Sequence, residues 1–164
     1  MKSTIVFIIA SAISLLLWFV VQIVLHVQFT QNCGGYLHRA ANANTIELAT
    51  AEMQKVVDYL DRNDLKSGYT SVLWRTPGDD IGFWYKNLSS SLMELKQLDK
   101  NASQLEKSNV LLKLRETLTD HEGLIAPTGI DRHPHNGILA LWACLSLTFI
   151  ISGIVIAIKI DSGY

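Results

Sequence analysis

Charge is absent from two long stretches of this chain: no Asp, Glu, Lys or Arg occurs from Thr4 to Val27 or from Gly137 to Ile158. That excludes the surface helix of a soluble protein, which carries charge on its outer face. Cysteine is scarce, with two among 164 residues, so there is no disulfide framework to read. Cys33 follows the first apolar run and Cys144 lies inside the second. At 1.5 Å per helical residue the two differ in depth by more than about 10 Å, beyond the reach of a disulfide. Two free thiols are expected, with a bridge between copies at Cys33 as the alternative. The signatures GxSxG, CxxC, HExxH, GxGxxG and the P-loop are all missing, which removes the enzyme classes built on them. A basic stripe is missing too. Residues 29–135 hold 12 of the 14 Lys and Arg and 14 of the 15 Asp and Glu, leaving that stretch at −2, a poor match for nucleic acid.

What is present begins with the runs themselves, 24 and 22 residues long. Roughly 20 apolar helical residues cross a hydrocarbon core about 30 Å thick. Only Met1 and Lys2 precede the first run, and bulky Val27-Gln28-Phe29-Thr30-Gln31 follows it. Neither feature suits a cleaved signal peptide, so an uncleaved anchor is expected. The chain therefore divides into a transmembrane helix at 3–28, an extramembrane domain at 29–135, a second transmembrane helix at 136–159 and a short tail at 160–164. Lys2 and Lys159 in the tails, against Arg39 and Arg132 beside the crossings, give a slight positive bias. It favours cytoplasmic termini and an extracytoplasmic domain.

Three amphipathic helices are predicted between the crossings. Ile46, Met53, Val56, Val57 and Leu60 repeat at helical spacing over about 37–62, with Glu47, Glu52, Lys55, Asp58 and Asp61 assigned to other faces. Thr76-Pro77-Gly78-Asp79 reads as a helix start, with threonine as N-cap and proline first. Ile81, Trp84, Leu88, Leu92 and Leu95 then carry a helix over roughly 77–98. Ser103-Gln104-Leu105-Glu106 fits a capping box ahead of a third helix up to Asp120, stopped by Gly123. Leu124 to His135 should be an irregular return, and Asn136 can cap the second crossing. Cys33-Gly34-Gly35 reads as a joint that is flexible, or helical if the first crossing runs on. The fold class expected is all-α: a transmembrane helical hairpin enclosing a small antiparallel bundle of about three helices.

Few side chains suggest chemistry. Antiparallel crossings would bring His26, His133 and His135 to one membrane level, and imidazoles suit zinc, copper or haem iron. Pro134 can splay the latter two, and histidines at a headgroup level are ordinary, so no metal or cofactor is assigned. Asp120-His121-Glu122 is a poor chelate, because consecutive helical residues do not share a face. Asp79 and Asp80 are explained by the first turn of a helix. Gln22 stands out within the first crossing, since a lone amide in lipid favours a hydrogen-bonding partner. Ala10 and Ser14 add a small-xxx-small spacing. Tyr69, Trp74, Phe83, Trp84 and Tyr85 crowd around Arg75 in a domain otherwise built on Leu, Ile and Val. Such rings either fill a small core or, with a neighbouring Arg, anchor an interface or line a ligand pocket. Spacing separates them: Trp84 continues the Ile81–Leu95 stripe, whereas Trp74 precedes the helix. Tyr69, Trp74, Arg75, Phe83 and Gln22 are the candidate interface residues.

Ser67-Gly68-Tyr69-Thr70-Ser71-Val72-Leu73, Arg75-Thr76-Pro77, Ile81-Gly82-Phe83-Trp84-Tyr85 and Gln104-Leu105-Glu106-Lys107-Ser108-Asn109-Val110 running to Leu118 together resemble a pattern in bacterial two-pass membrane proteins. The resemblance spans about residues 33–135 and implies a bacterial cell membrane; it brings no activity and no site residues. The hairpin topology is also similar to extracytoplasmic four-helix sensor modules, from which this chain departs by ending at Tyr164 without an output domain. The function expected is a non-enzymatic accessory or assembly subunit, meeting a membrane-protein partner or its own copy. The alternative is a small-ligand or metal-binding sensor acting through a partner.

Overall fold

The computed structural model describes residues 2–99, 101–121 and 123–161. It is mostly helical and falls into two compact units, one of residues 1–26 and 134–164, the other of residues 27–133.

The first unit contains helix α1 (Lys2–Phe29) over most of its length and helix α6 (Asn136–Asp161). They pack antiparallel, since Phe7 meets Phe149 edge-on at 5.5 Å while Trp18 Nε1 donates to the Leu139 carbonyl at 2.8 Å. Between these contacts Ser14 and Ser146 share a hydroxyl hydrogen bond of 3.1 Å, and Trp142 Nε1 donates to Ser14 Oγ at 2.9 Å. The small residues at this seam are Ser11, Ser14, Ser146 and Gly153, whereas Ala10 of the expected Ala10–Ser14 pair faces outward. Both helices are long and apolar enough to cross a membrane, and their most apolar windows are only 6% and 11% buried. A core helix of a soluble protein hides its apolar side chains inside the protein; these present theirs outward. Helix α6 opens with the Leu139 N–H bonded to the His135 carbonyl at 2.9 Å. His135 therefore holds the cap position assigned above to Asn136, which is the first helical residue.

The joint at Cys33-Gly34-Gly35 stays helical. A π-helical turn, Thr30–Gly34, leads into α2 (Gly35–Ala41). Gly35 eases the packing there, because a Cβ would sit a tight 3.0 Å from the Thr30 carbonyl. The expected helix at 37–62 is instead two. Asn42 ends α2, and α3 (Ile46–Arg62) starts afresh with Thr45 as N-cap, its side chain accepting from the Leu48 N–H at 3.3 Å. Arg115 Nε donates to the Ala41 carbonyl at 3.0 Å, satisfying one acceptor that the interruption exposes. Ala49, Met53, Val56, Val57 and Leu60 form the buried stripe of α3. Glu52 is buried with them, contrary to its assignment to another face, and is held by Arg39 at 2.8 Å and Lys55 at 3.1 Å.

Helix α4 (Ile81–Gln97) buries Ile81, Trp84, Leu88, Leu92 and Leu95. Its cap is not Thr76: a short 3₁₀ turn, Pro77–Asp79, intervenes, and Asp80 Oδ1 accepts the Phe83 N–H at 3.0 Å. Helix α5 (Gln104–Leu118) starts as expected, with Ser103 Oγ accepting the Glu106 N–H at 3.2 Å. It ends two residues sooner than expected, because Thr119–Asp120 (β1) turns to pair with Gly123–Leu124 (β2). Gly123 supplies the positive φ, 126°, for that hairpin. Gly129, at φ 75°, opens the last 3₁₀ turn, Ile130–Arg132.

Cys33 is fully buried in this core, and both cysteines are free thiols. Burial pushes the Tyr59 phenol up from its usual range, and repulsion from an ionised Cys33 would act in the same direction. In a Cys144→Ser background, a water-soluble maleimide should react with Cys33 only as denaturant opens the domain. Complete labelling within seconds in the native state would show that the core is not closed over this residue.

Candidate interaction surface

The aromatic-rich segment resolves into a stalk, a tip and a buried ring. The stalk is an antiparallel bridge between Tyr69 and Asp80. Its two hydrogen bonds run from the Thr70 N–H to the Asp79 carbonyl at 3.1 Å and from the Ile81 N–H to the Gly68 carbonyl at 3.0 Å. Gly68 adopts φ 99°, where a side chain would be strained. Thr76 Oγ1 donates to Asp79 Oδ2 at 2.6 Å and closes the tip from below. Beyond the stalk Val72, Leu73, Trp74 and Arg75 stand exposed, with Trp74 80% and Leu73 76% accessible. The Arg75 guanidinium lies 5.1 Å from the centre of the Tyr69 ring, a cation–π distance. From Thr70 to Gly78 there is one positive charge and no negative one.

Trp84, only ten residues on, is 6% accessible, and its indole N–H donates to the Ile125 carbonyl at 2.8 Å. Phe83 is 64% accessible. Tyr85 is half-buried, and its hydroxyl donates to Asp61 Oδ1 at 2.7 Å. Phe83 and Trp84 border an open cleft of about 540 Å³ that was not foreseen from the sequence. Leu88 and, across from α4, Leu124, Ile125 and Pro127 line it, together with the carboxylates Asp80 and Asp120. No Lys or Arg is among the described residues that line it. The only hint in the chain was a short apolar string, Leu124-Ile125-Ala126, within a stretch read as irregular.

The other candidates are dispersed. Gln22 is half-buried on the face of α1 that also carries Ser11 and Trp18, in the first unit, whereas the Trp74 group belongs to the second. His26 and His135 fall in the first unit and His133 in the second. Among the described residues no group of three or more His, Cys, Asp or Glu side chains is placed to hold a metal ion. Of the Asp120-His121-Glu122 triplet, Asp120 Oδ1 accepts the Gly123 N–H at 3.1 Å and His121 is exposed; Glu122 lies outside the described residues. Compared with protein-family models, curated proteins and solved structures, the chain matches none.

Proposed function

We propose that this is a non-enzymatic, two-pass integral membrane protein whose helical domain recognises a protein partner through the Val72–Arg75 tip. The observation that carries the recognition half is the exposure of Leu73 and Trp74 on a clasped loop. Burying a large aromatic ring gives stability, and leaving it in water forgoes that gain. Trp and Arg are also both enriched at binding hot spots. The membrane half draws on two apolar helices of spanning length whose side chains face away from any protein core. The slight charge bias favours an extracytoplasmic domain, and the resemblance of residues 33–135 favours a bacterial cell membrane. A small-ligand sensor is the second reading, favoured by the cleft beside Trp84.

Sidedness can be tested by single-cysteine labelling in intact cells. An impermeant thiol reagent should mark position 63 from outside and position 162 only after permeabilisation. Labelling of the two from the same side of the membrane would end the two-pass reading. Copurification in mild detergent tests recognition: wild-type protein should bring down a stoichiometric partner or a second copy, and Trp74→Ala should lose it. Retention of that partner by Trp74→Ala would exclude the tip as its anchor.

A further inference from the structure

We propose that the partner seated on this tip is a second copy of the chain, whose Trp74 enters the cleft between α4 and the β1–β2 hairpin. The inference presupposes the recognition role given to the tip above and names its occupant. Charge complementarity is the first support. The tip carries Arg75 and no acid, while the cleft is lined by Asp80 and Asp120 and by no described Lys or Arg. Shape is the second. A volume of about 540 Å³ lies within the range of about 300–1,000 Å³ that buries drug-sized groups, enough for an indole and a neighbouring aliphatic side chain. The apolar walls, Leu88, Leu124, Ile125 and Pro127, match Leu73 and Trp74 in kind.

Adjacency is the third support. The tip runs directly into Pro77 and Gly78, and both of these line the cleft. Donor and acceptor surfaces therefore adjoin, so one two-fold axis can seat both tips at once, each in the other copy's cleft. Two copies held in one bilayer with the same orientation are related by an axis along the membrane normal. Confinement to the bilayer also raises the effective concentration of one copy around another. Trp74 supplies the buried anchor, and Arg75 meets Asp120 or Asp80 at the edge of the contact.

The test uses the full chain in its own membrane. Two differently tagged copies are co-expressed, one with photoreactive p-benzoylphenylalanine in place of Trp74. Irradiation should give a crosslink between the two tags, mapping by mass spectrometry to residues 117–128 of the other copy. Arg75→Glu should reduce the yield by roughly tenfold, because it sets like charges against each other. Combining it with Asp120→Arg should restore most of the loss. Should Asp120→Arg unfold the hairpin, the mapped position and the Arg75→Glu loss still decide. Crosslinks confined within one chain, or made to a different protein, would overturn self-association, the second outcome leaving the recognition role of the tip standing. Crosslinks to lipid alone would overturn both.

Discussion

Trp84→Ala is expected to destabilise the helical domain by about 3–5 kcal/mol, the cost of removing a large buried ring and leaving its cavity. The ring is 6% accessible and continues the Ile81–Leu88–Leu92–Leu95 stripe. Its loss also strands the Ile125 carbonyl, which receives the indole N–H at 2.8 Å. For a domain of this size about 3 kcal/mol lowers the melting temperature by about 12 °C or more. Trp84→Phe should lie between alanine and wild type, keeping much of the burial and losing the hydrogen bond. Trp74→Ala, at an 80% accessible site, should change stability by about 0.5 kcal/mol or less at concentrations that keep the chain monomeric. Thermal melts of the three variants decide the matter. Equal, large losses at both tryptophans would place Trp74 in the core and remove the basis for an exposed anchor.

The second large effect is expected at Gly153, where α6 presses on α1. A Cβ there would lie 2.7 Å from Ile8 Cγ1, an atom near the base of a branched side chain that cannot swing clear. Gly153→Leu should therefore force the two helices apart at a cost of about 1–3 kcal/mol. The separation would also weaken the Ser14–Ser146 and Trp142–Ser14 hydrogen bonds. Gly137, with nothing within 4 Å of its built Cβ, is the control: Gly137→Leu should be neutral or mildly stabilising. Denaturing-detergent titrations followed by tryptophan fluorescence compare the two. Matching midpoints for both variants would mean that the seam is not packed as described.

Much of the helical architecture was legible because it is encoded by composition or by a local cap. The two apolar runs need only counting, and Ser103 marks the start of α5 by its own hydrogen bond to the Glu106 N–H. The break between α2 and α3 was not marked by a helix breaker, since no glycine or proline stands between Leu37 and Ile46. What interrupts the helix is polar, the Thr45 cap and the reach of Arg115 from α5 to the Ala41 carbonyl, and the second partner is remote in sequence. Glu52 was misplaced for the same reason, because its burial depends on Arg39 from another helix. The β1–β2 hairpin has two residues per strand, too few for an alternating pattern. At the candidate surface, spacing alone separated Trp74 from Trp84. The cleft stayed hidden because its walls come from α4 and from residues some forty positions later.

The clasp beneath the tip carries a consequence for how this molecule can vary. Among the described residues, the hydrogen bonds that clasp the loop run between Gly68, Thr70, Thr76, Pro77, Asp79, Asp80 and Ile81, and Arg75 adds only its cation–π contact with Tyr69. On the reading of the tip as a partner anchor, foldedness and choice of partner are written largely in different letters of one short stretch. Val72, Leu73 and Trp74 can therefore be randomised as a display library on an unchanged scaffold.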